Sequence, residues 1–278
     1  MSHPAITEQS RFSFWGGFLR LILLWVLLAL PQSTRAVAVD RELVLLVDVS
    51  NSGVSKSQFD SLLAGYSSAM SSSQVLASIQ AGTHGRIAVS LMLYGGAGFQ
   101  QVGIPWMSVA NAADAAQFTS LATSLNKPNG TGKAGVGQAI TAARNSFGTE
   151  TGGVSNGFES TLQIIDIAAA VEPSPGNAAA DLAARNGALL SGVDLINVLA
   201  LGNKAADIAA YYSAHVIGTT LPGVVPSSTT SPVFSGSLNT VLNSQLGSSI
   251  TAVPEPHAAT GFMLAVCLGL FCRQRRKS

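Results

Sequence analysis

Hydrophobic and polar positions between residues 39 and 252 follow two periods, and this pattern predicts an α/β fold. Residues 43–49 are apolar except for Asp48, which is typical of a strand buried on both faces of a sheet. Apolar residues at helical spacing follow at Phe59, Leu62, Leu63, Tyr66 and Met70. The same criteria predict further strands at 87–93, 102–106, 162–168 and 195–201, and further helices at 118–125, 136–147, 178–190, 205–212 and 238–246.

The alternation of strands and helices sets the expected fold class. It predicts a doubly wound, mainly parallel sheet with helices on both faces, as in Rossmann-like folds. Ligands of such sheets bind beyond the carboxyl ends of the strands. We therefore expect a functional site in the loops that follow the first, fourth and fifth predicted strands.

The amino-terminal residues have the pattern of a secretory signal. Arg11 and Arg20 precede the uncharged run 21–30, and Ser33-Thr34-Arg35-Ala36-Val37-Ala38 follows, with an Ala-x-Ala-like end. A basic region, an apolar region and a small-residue cleavage site in this order predict a signal peptide over residues 1–38. The alternative is a signal anchor that is not cleaved.

The carboxyl-terminal residues form a second sorting element over 253–278, after a domain that spans 39–252. Its first part is the motif Val253, Pro254, Glu255 and Pro256, and its last part holds the basic residues Arg273, Arg275, Arg276 and Lys277. The uncharged run between them, 258–272, is shorter than the roughly 20 residues that cross a bilayer, so we expect a hydrophobic helix with local membrane thinning. Basic residues at both ends of the chain predict that the domain lies outside the cytoplasm.

This tail resembles the PEP-CTERM sorting signal of Gram-negative bacteria. The resemblance implies an exosortase-type membrane peptidase as a partner, and delivery to the cell surface or the extracellular matrix. The alternative is an ordinary carboxyl-terminal membrane anchor.

Charge and cysteine content narrow the function classes. Only 10% of the residues are charged, and the domain at 39–252 holds eight Lys and Arg against twelve Asp and Glu. A mildly acidic domain lacks the positive field that nucleic-acid binding needs, so we expect no nucleic-acid partner. Both cysteines, Cys267 and Cys272, lie in the tail, so the exported domain has no disulfide.

The best candidate for chemistry is Asp48-x-Ser50-x-Ser52, directly after the first buried strand. In an extended segment residues two apart point the same way, so a carboxylate and two hydroxyls would converge. Such hard oxygen ligands suit Mg²⁺. The alternative is that no cofactor binds and that the motif hydrogen-bonds its own loop and the start of the next helix.

At this motif the chain resembles a von Willebrand factor A domain, whose metal-ion-dependent adhesion site begins with Asp-x-Ser-x-Ser. More closely it resembles a group of uncharacterised bacterial proteins with that fold. This resemblance covers roughly residues 40–250 and includes Tyr211 and Tyr212. The family implies two further ligands, a threonine ahead of a helix and an aspartate after the fourth strand. Here Ala134 and Ala170 occupy those positions, and Thr131 and Glu172 are the nearest substitutes. The resemblance therefore implies a degenerate site.

Two functions follow from these observations. The first is an exported, non-enzymatic binding or adhesion protein, with an extracellular protein or polysaccharide bound at the loop after the first strand. The second is an exported hydrolase of polysaccharides that takes its carboxylates from separate loops, namely Asp48, Asp166 and Glu172. We favour the first and assign no catalytic residue, because no motif spacing supports a catalytic group.

Overall fold

The computed structural model of the chain describes residues 35–129, 131–173, 175–231 and 237–251. Residues 1–34 of the predicted signal, the motif at 253–256 and the basic residues of the tail lie outside the described residues. Among the described residues, no helix has the length and apolar character needed to cross a bilayer.

Nine strands and seven α-helices form the described part of the chain. The strands are β1 (Val37–Ala38), β2 (Glu42–Asp48), β3 (Ile87–Tyr94), β4 (Gln100–Val109), β5 (Phe158–Glu159), β6 (Gln163–Ala169), β7 (Leu195–Leu201), β8 (Gly218–Thr219) and β9 (Ser228–Ser231). The helices are α1 (Lys56–Met70), α2 (Ser73–Gln80), α3 (Ala112–Ser124), α4 (Val136–Ser146), α5 (Ala178–Leu190), α6 (Ala205–His215) and α7 (Ser237–Thr251).

Seven strands form one mixed sheet in the order β4-β3-β2-β6-β7-β8, and β9 also pairs with β7. The central strands β3, β2, β6 and β7 run parallel, whereas β4 and β8 are antiparallel to their neighbours. Every residue of the four central strands is buried. The predicted α/β fold with a mainly parallel, doubly covered sheet is therefore confirmed.

Two separate hydrophobic cores lie on the two faces of this sheet. Leu43, Leu45 and Val47 of β2 pack with α1, α2, α3 and α7, which cover what we call the α1 face. Val44 and Leu46 pack with α4, α5 and α6, which cover the α4 face. Side chains of a strand alternate between faces, so a continuous apolar run supplies both cores at once.

The chain leaves the two neighbouring strands β2 and β6 toward opposite faces. The helix after β2 is α1 on the α1 face, and the helix after β6 is α5 on the α4 face. Divergent loops at neighbouring carboxyl ends open a crevice, which is where doubly wound sheets bind ligands.

Several elements differ from the prediction, and three of them have weak apolar periodicity. Helix α2 was not predicted because it buries only Val75 and Ile79 among its apolar residues. Strand β4 is longer than the predicted 102–106. Its pairing with β3 is irregular and it contains Pro105 at the sheet edge, so its apolar and polar residues do not alternate regularly. Strand β9 lies within a Ser/Thr/Pro-rich stretch and buries only Ser231, so pairing with β7 creates it.

Candidate functional site

The Asp48 loop connects β2 to α1 at the carboxyl end of the central strand. Asp48 is buried, and its Oδ1 accepts a hydrogen bond from the Ser50 N–H at 2.9 Å. Helix α1 is capped by Ser55, whose Oγ accepts from the Gln58 N–H at 3.3 Å while Gln58 Oε1 accepts from the Ser55 N–H at 2.8 Å. Asp48 thus stabilises its own loop, whereas capping of the helix belongs to Ser55 and not to the Asp-x-Ser-x-Ser motif.

Two buried oxygens in this loop have no hydrogen-bond partner among the described residues, namely Asp48 Oδ2 and Ser50 Oγ. Gly53 lies beside these two residues, because a Cβ atom there would be 3.0 Å from Ser50 Oγ and 3.3 Å from the other carboxylate oxygen of Asp48, Oδ1. Ser52 is exposed. Asp48 and Ser50 are therefore buried in the same loop, whereas Ser52 does not join the buried pair.

A second loop, between α3 and α4, brings Thr131 to the same place. Thr131 is buried, and its Oγ1 donates to the Val49 carbonyl oxygen at 2.6 Å. Gly95 makes this approach possible, because a Cβ there would lie 2.4 Å from the Thr131 carbonyl oxygen. Thr131 therefore reaches the Asp48 loop, although its hydroxyl hydrogen is directed to a backbone carbonyl.

The same loop carries a lysine that the motif analysis did not select. The half-buried Lys127 donates from Nζ to the Val49 carbonyl oxygen and to the Pro128 carbonyl oxygen, both at 3.4 Å. Burial raises the pKa of Asp48, while the hydrogen bond from the Ser50 N–H and the nearby Ser50 hydroxyl, Ala170 N–H and Lys127 charge oppose that rise. Ala170 occupies the position where the resemblance implies an aspartate, and its backbone N–H lies near Asp48.

A cavity of about 430 Å³ opens beside this loop at the carboxyl ends of β2, β6 and β7. We call it the crevice. Its polar walls come from Ser52 and Gln58 on one side, and from Glu172, Asn203 and Lys204 on the other. Glu172 is exposed on the wall and is not buried with Asp48. The crevice is built from the three loops in which the sequence predicts a site.

Two buried tyrosines, Tyr94 and Tyr212, lie near Asp48, and the sequence analysis did not identify their role. Tyr94 of β3 pairs in register with Asp48, and its hydroxyl lies 3.2 Å from the Tyr212 hydroxyl. Burial is the main cause that raises the pKa of both phenols, and the nearby Asp48 charge adds to it. Tyr212 is one of the two tyrosines through which the resemblance extends, and that was the signal in the sequence that could have indicated its role.

A third carboxylate organises the neighbouring helices on the α4 face. Asp181 Oδ1 accepts from the Gly137 N–H at 3.0 Å, in the first turn of α4. Its Oδ2 accepts from the Tyr211 hydroxyl at 2.7 Å. Burial raises the pKa of Asp181, and both hydrogen bonds oppose that rise. A carboxylate that caps a helix and binds a tyrosine has a structural role.

The described residues do not fit the divalent site that the resemblance implies. Ala170 contributes a hydrogen-bond donor where a cation needs an oxygen ligand, and Lys127 adds a positive charge beside Asp48. Throughout the described ranges, no three His, Cys, Asp or Glu side chains are grouped so that they could hold a metal. Among the buried oxygens of this loop, only those of Asp48 and Ser50 lack a partner within the described residues, and they include a single carboxylate.

Two of the three carboxylates of the predicted hydrolase, Asp48 and Asp166, are separated by the sheet. Asp48 lies on the α4 face, next to Tyr94 and Tyr212. Asp166 lies on the α1 face, like Ile164 and Ala168, which are two residues before and after it in β6. Its Oδ2 accepts a hydrogen bond from Ser249 Oγ of α7 at 2.8 Å. Two carboxyl groups on opposite faces cannot act together on one substrate, so this pair is not an acid–base pair.

Comparison with known proteins places the domain in a family. A family model described as "Protein of unknown function (DUF1194)" matches residues 38–234. No curated protein sequence matches the chain.

Solved structures of low sequence identity share the fold. Proximal thread matrix protein 1 from the mussel byssus, with a zinc-occupied MIDAS motif, is 14% identical at a TM-score of 0.51, over 78% of this chain and 49% of that one. The pilus adhesin SpaC from Lactobacillus rhamnosus GG is 15% identical at a TM-score of 0.51, over 76% of this chain and 30% of that one. The chain thus spans about half or less of the length of these proteins. The likeness establishes a von Willebrand A-like fold.

Proposed function

The chain belongs to the DUF1194 family, and on that premise we propose that it is an exported, non-enzymatic binding module of the cell surface or extracellular matrix. Its partner is an extracellular protein or polysaccharide. The observation that carries this proposal is the crevice at the carboxyl ends of β2, β6 and β7, beside the buried Asp48 and Ser50. Structural neighbours named as a matrix protein and a pilus adhesin support the same class of function.

The crevice suits a polar partner. Gln58 and Asn203 offer amides, and Glu172 and Lys204 offer one charge of each sign within the same walls. Amides and paired charges discriminate among partners by hydrogen bonding and charge complementarity. The proposal therefore places specificity in these side chains and assigns no chemical step to the domain.

Charge reversal in the crevice tests this proposal. We expect Glu172→Lys in the full-length protein to weaken retention on extracellular matrix polysaccharide or surface protein at least tenfold. The matched control is Glu159→Lys, which reverses another exposed glutamate, in β5 outside the crevice. Equal retention of both variants and the wild type in pull-down assays would place the partner elsewhere.

The proposed binding needs no divalent ion. We expect calorimetry with Mg²⁺, Mn²⁺ and Ca²⁺ to give no specific heat for the wild-type chain. A heat that Asp48→Ala removes would instead restore the metal-dependent version, with Mg²⁺ on Asp48, Ser50 and Ser52 and with Thr131 or Glu172 as further ligands.

Export completes the proposal. The signal at 1–38 and the sorting element at 253–278 would bring the domain to the surface, with an exosortase-type membrane peptidase as partner and the membrane as an intermediate location. The domain's partner would then meet the crevice outside the cell.

A further inference from the structure

We propose that three chain segments at the end of the sheet where β2, β6 and β7 begin form a surface that contacts the membrane while the tail anchors the chain. We call it the amino-end surface, and it consists of residues 148–157, 190–194 and 220–226. The inference rests on the anchored form in the proposed function and is independent of the partner that the crevice binds. Three observations carry it: where the segments lie, which side chains they expose, and where the last helix ends.

Hydrogen bonds fix the first two segments at the amino ends of the central strands. In the first segment, Asn156 Nδ2 donates to Glu42 Oε1 at the start of β2. The second segment ends in Asp194, whose N–H donates to the Gln163 carbonyl oxygen at 2.9 Å, at the start of β6. The crevice lies at the carboxyl ends of the same strands, so the amino-end surface is at the opposite end of the sheet.

The three segments adjoin one another. The Thr220 N–H, in the third segment, donates to the Asp194 carbonyl oxygen of the second at 3.0 Å. The first and second segments also touch, because a Cβ atom at Gly192 would lie 2.7 Å from the Glu150 carbonyl oxygen. The amino-end surface is therefore continuous.

Each segment exposes one large aliphatic side chain. Val154, Leu190 and Val225 are 88%, 89% and 86% exposed. Within the described ranges, the other exposed large apolar side chains are Val37 and Val102, at 42% and 51%. Single exposed apolar residues are common, but three on adjoining segments form an apolar surface of the kind that meets a membrane interface.

Helix α7 brings the chain to the same end of the sheet. Strand β9 ends at Ser231, beside the last residue of β7, and α7 begins six residues later at Ser237. Near the end of α7, Ser249 contacts Asn197, close to the start of β7. The opposite course would put Ser237 roughly 30 Å from Ser231, more than the roughly 20 Å that six residues can span. Helix α7 therefore runs toward the amino-end surface and ends near it at Thr251.

The chain after α7 limits how far the bilayer can lie from this surface. The uncharged run 258–272 begins seven residues after Thr251, and seven residues span at most about 25 Å. The crevice is farther away by the length of β6 and β7, roughly 20 Å. With so short a tether, the apolar side chains of the amino-end surface are within reach of the bilayer, and the crevice faces away from it.

Apolar contact, and not charge, sets the lipid preference of this surface. Exposed side chains of both signs lie at the same end of the domain, namely Arg86 directly before β3 and Glu159 in β5. Three aliphatic side chains bind the interface between headgroups and acyl chains only weakly, and the tail raises their effective concentration. We therefore expect contact with phosphatidylcholine and no requirement for anionic lipid.

Fluorescence quenching in the full-length protein, reconstituted into phosphatidylcholine vesicles, tests this contact. Both native cysteines, Cys267 and Cys272, are first replaced by serine. An environment-sensitive fluorophore is then attached at Val154→Cys or Leu190→Cys. We expect nitroxide-labelled lipid to quench these labels at least threefold more than a label at Val102→Cys, the matched control on the exposed part of β4. Quenching at all three positions that is equal would overturn the proposal.

A double aspartate variant separates the apolar side chains from the tether. Leu190→Asp with Val225→Asp changes only exposed positions, so we expect the fold to persist while quenching at Val154→Cys falls to the level at Val102→Cys. Unchanged quenching would mean that the tether alone holds the domain, and would overturn the contact. A wild-type chain that does not float with the vesicles would refute the anchor and this inference with it. The Glu172→Lys test of the crevice would stand in either case.

Discussion

Gly53 shows how a single residue keeps the Asp48 loop open. A Cβ at this position would lie 3.0 Å from Ser50 Oγ and 3.1 Å from the Ser50 carbonyl oxygen, closer than side-chain carbons normally approach. We expect Gly53→Ala to lower the free energy of unfolding by about 1 kcal/mol, because the loop must shift. Gly187→Ala is the control with the opposite sign, since its site in α5 is open and alanine stabilises helices by about 1 kcal/mol. Urea unfolding measures both; a stabilised Gly53→Ala would contradict the crowding argument.

Glu42, at the start of β2, makes the free energy of unfolding depend on pH. Burial raises its pKa from 4.5 to about 7, although Asn156, Ser160 and Gln163 donate hydrogen bonds that oppose the rise. The folded state therefore holds this proton more tightly than the unfolded chain. Its stabilisation is complete below about pH 4.5 and is lost as pH rises through about 7.

We expect the free energy of unfolding to fall between these two pH values, by at most about 3 kcal/mol from this group. Glu42→Gln should flatten the profile because glutamine does not titrate. Glu159→Gln, at an exposed position of β5, should leave the profile unchanged. Urea unfolding from pH 4 to 8 provides the test, and stability that rises over this range in the wild type would refute the assignment.

At the scale of elements, a buried polar network attaches α7 to the sheet. The Ser227 N–H donates to Asn197 Oδ1 at 2.8 Å, Asn197 Nδ2 donates to Ser249 Oγ at 3.2 Å, and Ser249 Oγ donates to Asp166 Oδ2 at 2.8 Å. Burial raises the pKa of Asp166 to about 6 against these hydrogen bonds. Leu242 and Leu246 of α7 fill the α1-face core around the network.

We expect Ser249→Ala to lower the free energy of unfolding by about 1–3 kcal/mol, because it removes the donor to a buried carboxylate. Ser248→Ala is the matched control: its hydroxyl is exposed and bonds only to the Ser244 carbonyl of its own helix. Hydrogen exchange should show faster exchange in α7 for Ser249→Ala alone. Equal effects of the two substitutions would mean that the network does not hold the helix.

Elements with strong periodicity were predictable, and contacts between distant segments were not. Strand β7 has the predicted bounds, 195–201, because its burial pattern is complete within the segment. Asp166 lies within a predicted strand, yet its partner Ser249 lies 83 residues away in sequence. In the same way the motif revealed Asp48, whereas Lys127 acts through a carbonyl 78 residues away. The local sequence pattern therefore predicts the helices and strands and the site residues within one motif. It does not predict the partners that distant segments bring to them.

The whole molecule joins an acidic domain to a basic tail, and the two have separable roles in our proposal. Binding depends on the crevice, whereas location depends on residues 253–278, where an uncharged run ends in Arg273, Arg275, Arg276 and Lys277. Such a basic end resists transfer across the membrane and holds the chain there until it is processed.

We expect a chain that ends at residue 252 to be recovered from the culture medium with its binding intact. Replacement of Val253-Pro254-Glu255-Pro256 by alanines should leave a chain of unprocessed mass in the membrane, whereas the wild type reaches the surface at lower mass. Cell fractionation with mass spectrometry distinguishes these forms. An ordinary anchor would instead give the same mass and the same membrane location with or without the motif, because a hydrophobic run followed by basic residues is sufficient for anchoring. That outcome would remove the exosortase-type peptidase from the proposal and leave the crevice, and the partner it binds, unaffected.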